Sequence, residues 1–404
     1  MKTMSLRPKR GLRLNVLPTP KSRIRLLKSA GVVLVLCVPA GSALASVSLY
    51  GVLDSGLLFR TVAGVRNGQP ASLFSTSSST ELTSRWGLVG VEDIGGGYQV
   101  GFKLESGFNV TKGVGNSALP FPQDTGALFD RGAVVGVDAP WGTIKLGRNW
   151  TPFFDGMQAA DVTGYMNFAS LGSAVFQNNS NVNPALGVAG LTTGANSPAN
   201  GGLLYTWQND SIKYMLPEIG PITGGVLYSF GGTAGSFSTK SAWSANLAYK
   251  SGNWGATVAY FDATDPTGQT SNHWLRAMTA GLNYQFGTVR LGVDFSKFRN
   301  PTTGANQNWY FLGASWQYSA PVRITANWLY LDDQVDKRSN GQLFKVGVAY
   351  SLSKRTTLYS DVGYSVNKSQ GVLGGGPTTG TLPFSPVTIG RNQMAAAAGI
   401  RTLF

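Results

Sequence analysis

Cysteine, histidine and acidic side chains are scarce in this 404-residue chain, and each shortage removes a class of chemistry. The one cysteine, Cys37, falls in a segment expected to be discarded, which leaves neither a disulfide framework nor a cysteine-based metal site. Leu36 precedes it where lipid attachment would want a small residue. The one histidine, His273, rules out a histidine metal cluster, and a Ser-His-acid hydrolase would have to be built on it alone. The G-x-x-x-x-G-K-[ST] phosphate loop and a dinucleotide fingerprint are both missing, so no cofactor is expected. Charged residues make up only 13%, against about a quarter in an ordinary water-soluble domain. Beyond residue 45 there is no apolar run of the roughly 18 residues a membrane helix needs.

The N-terminal segment reads as a secretory signal. Lys2, Arg7, Lys9, Arg10, Arg13, Lys21, Arg23, Arg25 and Lys28 precede an apolar stretch at 30–40 and the small-x-small site Ala43-Leu44-Ala45. Residues 1–45 are therefore expected to be a signal peptide, with the mature domain at 46–404. That segment holds nine of the 33 Lys and Arg and none of the 19 acids, so the formal +14 falls to 24 bases against 19 acids, or +5. A nucleic-acid reading would rest largely on residues that are removed.

What remains is β-patterned. In Tyr98-Gln99-Val100-Gly101-Phe102-Lys103-Leu104-Glu105, period two sends Tyr98, Val100, Phe102 and Leu104 to one face and Gln99, Lys103 and Glu105 to the other. Clusters of Gly, Pro, Asn and Asp mark short turns at 92–97, 138–142, 217–221, 251–255, 285–287, 318–321 and 351–354. Longer polar stretches lie at about 60–83, 109–128, 150–202, 231–240, 262–272, 298–307, 332–341 and 366–392. Seven short turns and eight long loops join sixteen strands, with both termini on the short-turn side. Trp254, Tyr284, Trp316, Tyr318, Tyr330 and Tyr350 sit near strand ends, as interfacial girdles would. These features predict an all-β fold: a 16-stranded antiparallel transmembrane β-barrel, ending on Phe404 and placed in a bacterial outer membrane. A soluble sandwich or propeller would share the short strands but not the loop asymmetry.

Several motifs resemble a known family. Ser84-Arg85-Trp86-Gly87-Leu88-Val89-Gly90-Val91-Glu92-Asp93-Ile94-Gly95-Gly96-Gly97 closely resembles the second strand and turn of Gram-negative general porins of the β-proteobacterial type. So do Leu49-Tyr50-Gly51-Val52-Leu53-Asp54, Leu146-Gly147-Arg148-Asn149-Trp150-Thr151-Pro152, and Asn209-Asp210-Ser211-Ile212-Lys213-Tyr214 followed by Pro217-Glu218-Ile219-Gly220. The resemblance runs from Ser46 to Phe404. It implies a homotrimer in outer-membrane lipid and lipopolysaccharide, a third loop (about 150–202) folded inward to narrow the pore, and Phe404 as the signal read by the barrel-assembly machinery. The implied function is passive diffusion of small hydrophilic solutes and ions through a water-filled lumen.

By the same resemblance, Arg85 and Arg148 fall on basic wall positions of the pore constriction. Arg131 is a third candidate, and Arg60, in phase with Asp54, a weaker one. Asp155 and Asp161, the only charged residues in 150–202, are the expected acidic side of the ring. Arginine suits such a wall because it stays charged at any working pH. Two departures bear on selectivity: Val89 stands where the family often has an inward Lys, and Trp207 near another wall Arg. These departures thin the basic wall, but the remaining arginines still outnumber or balance the two loop acids, so a weak anion preference is expected. A substrate-specific channel on the same fold, or a barrel with adhesive or enzymatic loops, are the alternatives; an aromatic ladder in the lumen would favour the former.

Overall fold

The computed structural model describes residues 46–115, 127–164, 167–180, 206–374 and 390–404; the expected signal at 1–45 and the 181–205 stretch of the expected third loop lie outside the described residues. The first wall strands are β1 (Ser46–Arg66), β2 (Gln69–Ser78), β3 (Arg85–Gly95), β4 (Tyr98–Asn109), β5 (Val114–Gly115), β6 (Gly132–Ala139) and β7 (Gly142–Trp150). Two helices follow, α1 (Pro152–Ala160) and α2 (Leu171–Ser180). The rest of the wall is β8 (Trp207–Met215), β9 (Ile222–Ser229), β10 (Ala242–Ser251), β11 (Trp254–Thr264), β12 (His273–Phe286), β13 (Val289–Arg299), β14 (Asn306–Gln317), β15 (Val322–Asp333), β16 (Gly341–Ser351), β17 (Thr356–Asn367) and β18 (Gln393–Leu403).

Every pairing is antiparallel, and the sheet closes where β1 meets β18 from Val52↔Leu403 to Arg60↔Ala395. On its other side β1 pairs first with β3 and then with β2, so β2 and β3 follow one line in the wall. β5 is a two-residue spur on β4. Of the eighteen strands, merging β2 with β3 and setting β5 aside leaves a closed wall of sixteen.

Alternation explains why the wall can stand in lipid. In β16, Leu343, Lys345, Gly347 and Ala349 are buried while Phe344, Val346, Val348 and Tyr350 are exposed. In β17, Tyr359 and Asp361 point inward and Leu358, Val362 and Tyr364 outward. The exposed apolar face belongs against hydrocarbon, and the ring leaves no free edge of backbone donors and acceptors.

The first long loop, expected at 60–83, is mostly strand. β1 and β2 run on as a hairpin to Arg66↔Gln69, closed by Asn67-Gly68 with φ of 53° and 76°. Asn-Gly is the pair that tolerates left-handed φ at both turn positions, and it lay unread within a polar stretch. The true interruption is at 79–84, where the chain leaves the ladder. There the buried Asp54 carboxylate accepts from the amides of Thr80, Glu81 and Leu82 at 2.7–3.1 Å and from the Tyr359 hydroxyl at 2.7 Å.

The largest apolar cluster lies inside the barrel. Thr151 caps α1 by accepting from the Phe154 amide, and Pro152 opens its first turn, where its missing N–H is not needed. α1 packs on β10, β11 and β12. Phe153 meets Phe298 edge-on at 5.8 Å, and its amide donates to Ser244 Oγ at 2.8 Å. Ala160 lies over Gly281 and Val162 over Gly292 at distances no Cβ on those glycines would allow, while at Gly313 the ring of Phe311 fills that space with Val162 beside it. Farther on, Asn327 Nδ2 donates to the Ala169 carbonyl at 2.9 Å, and the Asn167 amide to the Glu81 carbonyl at 2.7 Å. Residues 152–164 and 167–175 thus line one side of the interior, with Phe153, Phe168 and Leu171 fully buried.

Gly292→Val should force Val162 out of this contact and cost about 1–3 kcal/mol by overpacking. Leu291→Val, one residue away on the outward face, should stay within about 0.5 kcal/mol. Thermal unfolding of the two variants in detergent distinguishes them.

Candidate functional site

Opposite the packed side runs a cavity of about 910 Å³, walled by β3, β4, β6, β7 and β8 and faced by α1. Six cations line it: Arg85, Lys103, Arg131, Lys145, Arg148 and Lys213. Four acids join them, Glu105, Asp130, Asp155 and Glu218.

Glu105 organises the upper wall. Its carboxylate accepts from Arg131 Nε at 2.9 Å and from the Tyr50 hydroxyl at 2.7 Å. Lys103 Nζ stands 3.0 Å away and Arg85 Nε 3.7 Å away. One carboxylate thus holds three cations apart yet close, each already desolvated in part. Arg85 also donates to the Thr83 carbonyl at 3.0 Å. Arg148 donates from Nε to the Asp130 carbonyl at 2.7 Å and from Nη1 to Asn209 Oδ1 at 2.5 Å. It sits at a ladder irregularity between Gly147 and Asn149.

Arg85, Arg131 and Arg148 therefore line one cavity. Arg60 does not line it; in β1 it pairs across with Leu73 and Ala395. Asp155, in the first turn of α1, reaches across to Lys213 Nζ at 2.5 Å, and the same ammonium donates to the Trp150 carbonyl at 3.0 Å. Asp161 lies elsewhere. It is fully buried, accepts from the Thr163 amide and hydroxyl at 2.8 and 2.6 Å, and turns the chain between α1 and α2. Burial pushes its carboxyl above the usual range against the pull of those Thr163 hydrogen bonds.

The two departures noted in the sequence have local compensations. Val89 pairs with Lys103 across β3 and β4, so a lysine stands one strand over. Trp207 becomes a platform: its ring lies 5.9 Å from the Arg131 guanidinium and 5.6 Å from that of Arg148. Trp150 stands 4.9 Å from Trp207, 4.4 Å from Phe154 and 5.2 Å from Arg131. Each such cation–π contact is worth about 0.5–2 kcal/mol, depending on burial.

Glu105, Lys103, Lys145 and Lys213 were not among the candidate site residues. The signal for the first two was present, because alternation sets Lys103 and Glu105 on the face away from Val100, Phe102 and Leu104. Lys145 likewise opposes Ile144 and Leu146, and Lys213 opposes Ile212.

A family model described as Gram-negative porin matches residues 30–370. Outer membrane porin protein 32 of Delftia acidovorans is 27% identical over 388 residues, covering 94% of this chain and 100% of that protein. Major outer membrane protein P.IA of Neisseria meningitidis serogroup C is 26% identical over 373 residues, covering 80% of this chain and 90% of that protein. Among solved structures, the anion-selective porin from Comamonas acidovorans aligns with a TM-score of 0.72 at 23% identity, over 89% of this chain and 100% of that one. OmpT of Vibrio cholerae, in a trimer form, aligns with a TM-score of 0.58 at 13% identity, over 89% of this chain and 99% of that one.

Glu105→Gln should leave Arg85, Lys103 and Arg131 without their common counter-charge and lower stability by about 1–3 kcal/mol. Guanidinium unfolding in detergent measures the loss. In a bilayer under a salt gradient the same variant should move the reversal potential further toward anion preference.

Proposed function

Because the chain belongs to the Gram-negative porin family, we propose that the cavity between the β3–β8 wall and α1 is the constriction of a passive, weakly anion-selective channel. The protein is an outer-membrane porin, a channel and not an enzyme. The observation that carries the sign of selectivity is the charge around this cavity: six cations against four acids among the described residues. A pore discriminates by the charge and width of its narrowest ring, and two surplus positive charges favour anions modestly. Arg85, Arg131 and Arg148 form the basic side with Lys103, Lys145 and Lys213. Asp155 carries the acidic side from α1, and Asp161 keeps the turn after α1 in shape. The anchors from 152–175 to the wall set the size limit for hydrophilic solutes. The trimer form of the Vibrio cholerae protein supports a homotrimeric assembly here. Phe404, whose amide and carbonyl exchange hydrogen bonds with Gly51 at 3.1 and 3.0 Å, serves as the assembly signal at the closing seam. The exposed apolar band is the surface that meets lipid and lipopolysaccharide.

Trp150, Trp207 and Phe154 in the cavity lining favour a second reading, a substrate-specific channel on the same fold. Saturation of current by one solute class, rather than a linear rise with concentration, would select it.

In a planar bilayer under a potassium chloride gradient, the refolded 46–404 chain should give discrete steps and a reversal potential on the anion side. Asp155→Asn should shift that potential further the same way. A cation-side potential in the unaltered protein would overturn the assignment of sign, and silence from a folded barrel would overturn the channel.

A further inference from the structure

A second cavity, of about 660 Å³, lies at the short-turn end of the barrel on the opposite wall. Arg290, Arg323, Gln285 and Gln317 line it from the wall, and Gln158 and Asp161 from the α1 side. Gln158 also lines the first cavity, so the two adjoin along α1. Alternation sends Arg290 inward with Gly292 and Asp294, and Arg323 inward with Thr325 and Asn327. Arg290 stands opposite Ser315 and Arg323 opposite Gln317, so the two arginines flank β14 on one face. Two strand spacings and a two-residue offset along β14 put their backbones about 12 Å apart, within reach of two extended side chains that meet over one small anion.

Unlike Arg85 and Arg131, which share Glu105, these two arginines form no salt bridge with a carboxylate among the described residues. Arg290 donates from Nε and Nη2 to Asn283 Oδ1 at 3.1 and 2.7 Å, a neutral partner that aims the guanidinium without cancelling its charge. Arg323 forms no salt bridge within contact distance among the described residues, although Glu81 and Asp361 lie near enough to attract it. The neighbouring acids are engaged elsewhere. Asp161 accepts from Thr163 and Leu171, Glu81 pairs with Arg401 at 2.8 Å, and Asp361 lies 3.3 Å from Lys345. On the first wall, by contrast, Glu105 serves three cations and Asp155 serves Lys213. A half-buried guanidinium not bonded to a carboxylate is the group best suited to hold an incoming carboxylate or phosphate through two parallel hydrogen bonds.

We propose that Arg290 and Arg323 form a binding station for small oxyanions, carboxylate or phosphate, on the short-turn side of the α1 segment and separate from the Arg85–Arg131–Arg148 wall. The inference rests on the channel reading above and adds to it a place where an anion pauses after the constriction. Inorganic phosphate is the probe. Added to a chloride-conducting channel in a bilayer, it should lower the chloride current saturably. Arg290→Gln or Arg323→Gln should raise the half-blocking concentration about tenfold, the effect of losing charge-assisted hydrogen bonds. Arg290→Lys and Arg323→Lys, which keep the charge but lose the planar fork, should recover part of it and show that the wall still folds. An unchanged half-blocking concentration in both Gln variants, or a shift produced by Arg131→Gln alone, would overturn the station while leaving the channel intact. A wild-type protein that conducts chloride without phosphate block would do the same, and one that conducts nothing would remove channel and station together.

Discussion

The structure depends on the seam between its two ends. A sheet in hydrocarbon has no water to satisfy an open edge, so every backbone group must find a partner within the protein. Here that requirement is met by residues more than three hundred positions apart, with β1 and β18 paired over nine positions and Phe404 bonded back to Gly51. The seam also explains why β1 carries so much order. Its inward Asp54 ties together the 79–84 interruption and Tyr359 of β17, across both sides of the closing strand.

With the outside committed to lipid, the apolar packing that a soluble domain would place between layers is moved indoors. Phe153, Phe168, Phe261, Phe298 and Trp309 bury themselves between the α1–α2 segment and one side of the wall. The opposite wall is left polar, and there charge replaces packing as the organising term. Glu105 gathers Arg85, Lys103 and Arg131, while the indoles of Trp150 and Trp207 support the guanidiniums from behind. This division of labour gives one lumen two unlike sides, a greasy buttress and a charged track.

Strand number and closure were legible in the sequence because both follow from local signals: period two, turn residues and the alternation of short with long connections. The first loop differs because polar residues also decorate long hairpins, and Asn67-Gly68 is a two-residue clue inside the stretch 60–83. Arg85 and Arg148 were legible through motif likeness, and Arg131 through its place at the start of a strand. Their counter-charge was not, because Glu105 pairs with residues 20 or more positions away or on its own strand face, and nothing local announces that convergence. Asp155 and Asp161 look alike in the sequence, six residues apart without another charge near them. Only the capping of α1 and the turn after it separates one that meets Lys213 from one that folds back on Thr163.

The glycines beneath the α1 segment carry a meaning beyond fit. Gly281, Gly292 and Gly313 lie on three successive strands, and Ala160 and Val162 sink into the space they leave. How far the segment recedes into that trough fixes how much bore remains across the lumen. The free width of the lumen is thus shaped partly by side chains that are missing.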